Sequence, residues 1–301
     1  MAGPSSPGAV TVEAEILAAS RALAEAEVDS PRLSAELLAT MALGCDRLGL
    51  VMRAKQPFPP AELARFRVLL ARRANGEPIA YILGQREFWG LPLLVTPDVL
   101  IPRPETERIV EEALTSFDHA HPLCFTDFGT GSGALAVALA HEFRAARGLA
   151  IDLSAQALLV ARANAIANGV AERLLFLRAD FTLFACRPGT LDLVVSNPPY
   201  VTEEEYGGLS REVRGYEPRQ ALVSPEHGLW HLRKLLPVAA RALRSGGRLL
   251  CEIGCGQGRA ALDLVRGSAC GFDHARILPD HAGLDRLLSV ERHSHLCGIL
   301  S

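Results

Sequence analysis

Residues 124–135 read CFTDFGTGSGAL, and this stretch decides the fold. An apolar run ends in three alternating glycines, Gly129, Gly131 and Gly133, and an alanine-rich segment of helical character follows. Glycine has no Cβ, so it lets the chain turn sharply and lets a ligand approach the backbone closely. The stretch therefore predicts a strand, a ligand-binding loop and a helix.

An acidic residue ends the next apolar run of the chain. Asp152 stands roughly 20 residues after Gly131, the spacing of dinucleotide-binding folds. At that position a carboxylate can accept hydrogen bonds from both hydroxyls of a ribose. Loop and carboxylate together predict a cofactor of the adenosine type.

Residues beside the loop bear on which adenosine cofactor this is. Residues 129–134 also satisfy the pattern Gly-x-Gly-x-x-Ala, so on the loop alone a nicotinamide-dependent dehydrogenase stays open. Asp127 favours S-adenosylmethionine, because its carboxylate attracts the positively charged amino group of that cofactor and would repel a pyrophosphate. After the third predicted strand, Asp180 could accept a hydrogen bond from an adenine amino group, and Phe181 could stack on the ring.

From residue 105 onward, apolar strand candidates alternate with helical stretches. Such alternation predicts an α/β fold in which helices cover both faces of a mostly parallel sheet. The predicted strands span residues 123–128, 149–152, 174–177, 191–196 and 248–253.

The chain ahead of this domain has a different character. Residues 1–76 show apolar residues at helical spacing, with Ser30 before Pro31 as one predicted helix start. We interpret them as a small helical bundle with an interaction role. Residues 77–104 are rich in proline and glycine and predict a linker that contains a β-hairpin turning near residues 89–90.

The composition of the chain argues against several classes of binding partner and location. Among 301 residues, 31 Lys and Arg stand against 34 Asp and Glu, so no overall basic field exists to hold a nucleic-acid backbone. No apolar run approaches the roughly 18 residues of a membrane span, and acidic residues precede the first basic one, unlike in a secretory signal. Seven scattered cysteines without a CxxC pair are typical of reduced core residues, so we expect a cytoplasmic protein without a metal.

A second motif ends the predicted strand at residues 191–196, which runs directly into Asn197, Pro198, Pro199 and Tyr200. In a parallel sheet this is the carboxyl edge, where ligands bind. Consecutive prolines remove two N–H groups, so the carbonyl oxygens stay free as acceptors. With the side-chain oxygen of Asn197, two acceptors could converge on one planar NH2 group, and Tyr200 could supply a flat face for it. The tetrapeptide therefore predicts the catalytic site.

The glycine loop and the tetrapeptide together resemble methyltransferases that modify planar NH2 groups. Four further stretches are similar to the PrmC/HemK family, which methylates a glutamine of peptide chain release factors. These are GQREFWG at residues 84–90, LIPRPETE at 100–107, GYEPRQAL at 215–222 and PDHAGLDRLLSVER at 279–292. The resemblance covers residues 77–292. It implies a Rossmann-like class I methyltransferase domain with a mostly parallel seven-stranded sheet over residues 105–301.

The resemblance also implies roles for individual residues. It implies that S-adenosylmethionine is held by Gly129, Thr130, Gly131, Ser132, Gly133 and Asp152, with Phe181 beside the adenine where family members can carry Trp. It implies that the glutamine of a Gly-Gly-Gln loop in release factors 1 and 2 is bound by Asn197, Pro198, Pro199 and Tyr200. Asn197 would also face the cofactor. We expect a wall near the cofactor at residues 102–105 and a loop over the substrate at residues 216–218.

Other functions stay open on the sequence. An adenine amino methyltransferase acting on DNA or RNA would use the same acceptor geometry, but it predicts a basic groove and an added recognition domain. A non-catalytic module that binds release factors would need neither the glycine loop nor the tetrapeptide. A dehydrogenase leaves the tetrapeptide unexplained. We therefore expect release factors as partners, and neither a nucleic-acid substrate nor a membrane.

Overall fold

The computed structural model describes residues 10–185 and 187–293. Contacts divide it into two compact units, which are described separately. One takes in the chain up to Gly84 together with Ser210–Tyr216, and the other takes in Gln85–Leu209 and the chain from Glu217 onward. No helix in these described ranges is both long and apolar enough to cross a membrane.

Twelve α-helices lie in the described part of the chain. In chain order they are α1 (Val12–Glu25), α2 (Pro31–Leu43), α3 (Arg47–Met52), α4 (Pro60–Ala74), α5 (Ile79–Leu83), α6 (Glu107–Ser116), α7 (Ala134–Glu142), α8 (Ala155–Ala167), α9 (Glu203–Gly208), α10 (Arg211–Tyr216), α11 (Trp230–Ala242) and α12 (Gly258–Gly267).

The first unit is helical, as the sequence predicts, and consists of α1–α5 and α10. Its core is built from side chains on α1 to α5, with Leu23, Leu38 and Phe66 completely buried. The predicted helix start at Pro31 is confirmed, but the Ser30 side chain does not cap the helix. Ser30 adopts a positive φ of 49° and makes no capping hydrogen bond, so the helix start depends on Pro31, whose fixed φ suits the first helical position.

The second unit is built on β-sheets. Its strands are β1 (Gln85–Phe88), β2 (Leu91–Leu94), β3 (Cys124–Phe128), β4 (Arg147–Asp152), β5 (Leu174–Arg178), β6 (Leu191–Ser196), β7 (Leu243–Glu252), β8 (Phe272–Pro279) and β9 (Asp285–Arg292). The first two form the predicted antiparallel hairpin, which turns at Trp89 and Gly90. The other seven form one sheet in the order β5-β4-β3-β6-β7-β9-β8.

This sheet confirms the predicted α/β class and its mostly parallel character. Strands β3 to β7 run parallel, and β9 pairs antiparallel with both β7 and β8. The strand order reverses at β3, because the chain passes from β3 to β4 on one side and later returns to β6 on the other. In open α/β sheets the ligand crevice lies at such a reversal, outside the carboxyl ends of the strands.

The core places the two predicted motifs side by side. Phe125, Phe128, Leu193 and Val195 are buried in the centre of the sheet. Phe128 pairs with Ser196 in the β3–β6 register, so the two strands end at the same level. The glycine loop follows one of these ends and the Asn-Pro-Pro-Tyr tetrapeptide follows the other.

Candidate active site

A cleft opens where β3 and β6 end. It encloses about 1090 Å³ of space, its open mouth included. Nine of the residues predicted to bind cofactor or substrate line it, namely Asp127, Gly129, Thr130, Gly131, Ser132, Asp152, Phe181, Asn197 and Pro199. Two motifs separated by more than 60 residues in the sequence therefore share one cavity.

Four predicted residues do not line the cleft: Gly133, Asp180, Pro198 and Tyr200. A Cβ on Gly133 would lie 2.9 Å from the Ala161 Cβ, so this glycine allows α7 and α8 to pack closely. The Asp180 carboxylate accepts hydrogen bonds from the backbone N–H and the hydroxyl of Thr182, at 2.8 and 2.7 Å. Asp180 thus caps a short helical turn, and its contact with adenine stays a prediction.

The glycine loop leaves room for a ligand. Gly129 and Gly131 have positive φ values of 73° and 54°, and no atom lies within 4 Å of the place where a Cβ would stand on either. A side chain there would be strained and would project into open space. Asn164 holds the loop from behind, since its Nδ2 donates to the Ser132 carbonyl at 2.8 Å.

Asp152 closes one side of the loop. Its Oδ2 accepts the Gly131 N–H at 2.9 Å, and its Oδ1 accepts the Ser154 N–H at 2.9 Å. A carboxylate has about four acceptor positions, so each oxygen can take one more donor. The side chain is held by the backbone and can still accept both hydroxyls of a ribose.

Asp127 is the buried charge of the cleft. The Thr130 hydroxyl donates to its Oδ2 at 2.6 Å, and the Ala136 backbone N–H also stabilises the carboxylate. The Oδ1 is buried and has no hydrogen-bond partner of good geometry among the described residues. Burial raises the pKa of Asp127 to about 7; the nearby Asp152 adds to this shift and the Thr130 hydroxyl opposes it. A buried acceptor without a donor suits a positively charged ligand group.

The tetrapeptide offers two free acceptors. The Asn197 Nδ2 donates to the Thr106 Oγ1 at 3.0 Å, which leaves the Asn197 Oδ1 as the open end of the carboxamide. Within residues 10–185 and 187–293, no donor bonds this oxygen or the Pro198 carbonyl. These are the two oxygens that the sequence predicts as acceptors for an NH2 group.

The later carbonyls of this segment are already occupied. Pro199 accepts from the His231 ring, Tyr200 accepts from the Gln257 Nε2 at 3.0 Å, and Val201 accepts from the Ser224 N–H at 2.8 Å. Three anchored carbonyls fix the backbone around the two free acceptors, which keeps them in place before a substrate arrives.

His231 is held neutral in this arrangement. Burial lowers its pKa, and its Nδ1 lies 2.7 Å from the Ser224 Oγ. A neutral ring has one N–H and one acceptor nitrogen, so it can donate to Pro199 and accept from Ser224. The sequence has no feature that marks His231 as part of the site, because its partners come from elsewhere in the chain.

Residues of the segment 98–106 also line the cleft, and only part of this lining was predicted. Pro102, expected in a wall near the cofactor, does line the cleft, and so does Thr106. Arg103 donates to the buried Glu217 at 2.6 Å, which ties this wall to the loop expected over the substrate. Thr106 lies within the LIPRPETE stretch, so its position was visible in the sequence although its role was not.

Comparison with known proteins decides the family. The chain is 45% identical over 290 residues to the release factor glutamine methyltransferase of Nitratidesulfovibrio vulgaris, covering 96% of this chain and 98% of the relative. It is 44% identical to the enzyme of that name from Cereibacter sphaeroides, covering 89% and 94%. The chain belongs to the release factor glutamine methyltransferase family. Membership confirms the predicted S-adenosylmethionine-dependent methyltransferase.

Family models and a solved structure agree with this placement. Residues 16–84 match the PrmC N-terminal domain, and residues 105–198 match the ribosomal protein L11 methyltransferase (PrmA) model. The catalytic domain of hMettl16, solved with the MAT2A 3'UTR hairpin 1, superposes with a TM-score of 0.55 at 16% identity, covering 75% of this chain and 80% of that one. That likeness shows the class I fold alone, and the relatives do not favour the nucleic-acid alternative.

Asp127 predicts how cofactor affinity depends on pH. Its carboxyl has a pKa of about 7 and must lose its proton before it can pair with an ammonium group. We therefore expect the affinity for S-adenosylmethionine to be full above pH 7 and to fall by up to about tenfold per pH unit below it. Isothermal titration calorimetry from pH 5.5 to pH 8.5 measures this, because that range extends about 1.5 pH units on either side of the shifted pKa.

Asp127→Asn is the matched control for that titration. The amide keeps the shape and a carbonyl oxygen for Thr130 but cannot titrate, so this variant should bind weakly with little dependence on pH over the same range. An equal slope in wild type and variant would assign the pH dependence to another group.

Proposed function

We propose that this chain transfers the methyl group of S-adenosylmethionine to the side-chain amide nitrogen of the glutamine in the Gly-Gly-Gln motif of release factors 1 and 2. The observation that carries the proposal is the pair of free acceptors, the Asn197 Oδ1 and the Pro198 carbonyl, in the tetrapeptide that follows β6, next to the strand end from which the glycine loop starts. The names of the curated relatives support the substrate class. The place of action is then the cytoplasm, where release factors meet the ribosome.

The residues of the cleft fit the cofactor. The unpaired Oδ1 of Asp127 suits its ammonium group, and Asp152 suits its ribose hydroxyls. Phe181 lines the cleft and packs against Phe128 at a centroid distance of 5.8 Å, which supports a place for its ring beside the adenine. When bound, S-adenosylmethionine supplies a methyl group on a positively charged sulfur.

The tetrapeptide offers a way to methylate an amide nitrogen in spite of its low reactivity. An amide nitrogen is a poor nucleophile, because its lone pair is delocalised into the carbonyl. We propose that the Asn197 Oδ1 and the Pro198 carbonyl each accept one N–H, which orients the nitrogen so that its lone pair points at the methyl group. The same two oxygens stabilise the positive charge that develops on nitrogen during transfer.

No dedicated base takes part in this proposal. Once the nitrogen carries the additional carbon, its proton is acidic enough to leave to water. The His231 imidazole contacts the tetrapeptide, and its two nitrogens are engaged by Pro199 and Ser224. The role of His231 in this scheme is to hold the backbone of the tetrapeptide in place.

Mass spectrometry of purified release factors tests the proposal directly. Release factors 1 and 2 made without the modification are incubated with the enzyme and cofactor, and the Gly-Gly-Gln peptide is expected to gain the mass of one methylene group. Release factors with Asn in place of that glutamine serve as controls and should gain nothing. Methylation of DNA or RNA under the same conditions, with unmodified release factors, would establish the nucleic-acid alternative instead.

A further inference from the structure

Behind Asn197 lies a buried chain of polar side chains that the mechanism so far leaves unused. The Asn197 Nδ2 donates to the Thr106 Oγ1 at 3.0 Å, and the Thr106 hydroxyl donates to the Glu252 Oε2 at 2.6 Å. The Tyr200 hydroxyl donates to the other oxygen, Oε1, at 3.1 Å. Thr106 and Glu252 are 4% and 1% exposed, so water does not take part in these contacts.

The hydrogen bonds from Asn197 through Thr106 to Glu252 all run in one direction. The Thr106 hydroxyl has a single proton and donates it to the Glu252 Oε2, the direction that a carboxylate acceptor requires. Thr106 can then offer Asn197 only a lone pair, which pairs with the NH2 end of the carboxamide. The carbonyl end of Asn197 is thereby directed into the cleft.

The direction matters because the two ends of a carboxamide have nearly the same shape. With the ends exchanged, Asn197 would present an NH2 group to the NH2 group of a glutamine. Two donors facing each other cannot hydrogen-bond, and one of the two acceptors of the site would be lost. A side chain free to rotate would spend part of its time in this unproductive state.

We propose that Thr106 and Glu252 are positioning residues that hold the Asn197 carboxamide with its oxygen toward the methyl acceptor. This inference rests on the proposed function, since it explains how one of the two acceptors is kept correctly oriented. Neither residue touches the substrate in this scheme; each acts through Asn197.

Burial is the largest influence on the pKa of Glu252 and raises it, and the nearby Glu105 adds to the rise. The hydroxyls of Thr106 and Tyr200 and the positive charge of Arg286 oppose the shift, and these are the contacts that stabilise the carboxylate. Burial and the neighbouring Glu252 also raise the pKa of Tyr200, so its phenol keeps its proton and remains a donor. Both carboxylate oxygens are therefore occupied by donors that belong to the site.

Thr106→Val tests the proposal, because valine keeps the shape of threonine and removes the hydroxyl. We expect the single-turnover rate of methyl transfer to unmodified release factor to fall about tenfold at saturating substrates, the effect of one lost hydrogen bond to a charged group. The dissociation constant for S-adenosylmethionine should stay within about twofold of wild type, since no contact to the cofactor is proposed for this hydroxyl.

Three further variants separate positioning from a general structural effect. Thr106→Ser restores the hydroxyl and should recover most of the rate. Glu252→Gln can donate to Thr106 and so permits the reversed orientation; it should lose rate as Thr106→Val does. Thr126→Val makes the same change at a buried threonine whose hydroxyl has no hydrogen-bond partner among the described residues, and it should leave the rate unchanged.

The outcomes are distinct. A wild-type rate for Thr106→Val, equal losses for the serine and valine variants, or a lost cofactor affinity in Thr106→Val would each overturn the positioning role while leaving the proposed function intact. A wild-type enzyme that fails to methylate release factor at all contradicts the proposed function itself.

Discussion

Replacing Asn197 with alanine should slow methyl transfer about 100-fold, as expected for the loss of one preorganised polar contact worth about 3 kcal/mol in the transition state. The variant removes the Oδ1 acceptor and leaves the Pro198 carbonyl as the single remaining partner for the amide. The loss should appear in the rate at saturating substrates rather than in cofactor affinity, because the contact strengthens as charge develops on nitrogen. Single-turnover methylation of release factor with labelled cofactor measures it.

Asn168→Ala is the matched control for this experiment. Asn168 follows α8, and its Nδ2 donates to the backbone carbonyls of Pro92 and Asn164, at 3.2 and 2.9 Å. It has no part in the cleft, so its variant should transfer methyl at the wild-type rate. If Asn197→Ala did the same, the acceptor mechanism would be wrong.

Gly228→Ala should disrupt the contact that anchors the backbone of the tetrapeptide. Gly228 has a positive φ of 81°, and a Cβ there would stand 2.1 Å from the Tyr200 carbonyl oxygen and 2.3 Å from the Gln257 Nε2. Both atoms belong to the contact that anchors the tetrapeptide. Because the methyl group must displace a backbone oxygen and break that hydrogen bond, we expect about 3 kcal/mol of lost stability from overpacking and backbone strain.

Two measurements check the Gly228 prediction. Thermal unfolding should shift down by roughly 6–12 °C at 2–4 °C per kcal/mol. Methyl transfer, measured well below that transition, should still be slow because Tyr200 and its neighbours have moved. Gly256→Ala is the control, since a Cβ on Gly256 meets no atom within 4 Å. An unfolding temperature and rate for Gly228→Ala that match those of Gly256→Ala would contradict the argument.

The parts of the site that could be read from the sequence are those encoded by neighbouring residues. A strand followed by a glycine loop is specified by a few consecutive residues. Each of the two prolines lacks an N–H group whatever the rest of the fold. The five predicted strands are all present, although β7 begins earlier, at Leu243, than the apolar run at residue 248 indicates. The added residues carry glycines and charges, which hide a strand from a pattern based on apolar residues.

The parts that could not be read depend on residues distant in the chain. Glu252 and Thr106 are separated by 146 positions and meet only because α6, which follows Thr106, packs against β7, which ends at Glu252. The neutral state of His231 and the raised pKa of Asp127 are equally outside the reach of sequence patterns. Each follows from burial, and burial is a property of everything that packs around a group.

By itself, then, the sequence determined the α/β class, the cofactor loop and the tetrapeptide that offers acceptors, since each is a local arrangement of backbone and side chain. Only the tertiary structure decided which oxygens stay free. Three carbonyls of the segment are occupied by His231, Gln257 and Ser224, and the direction of the Asn197 carboxamide is set by Thr106 and Glu252. The physical reason is that a hydrogen bond needs its two partners within about 3 Å, and for these residues folding alone brings them that close.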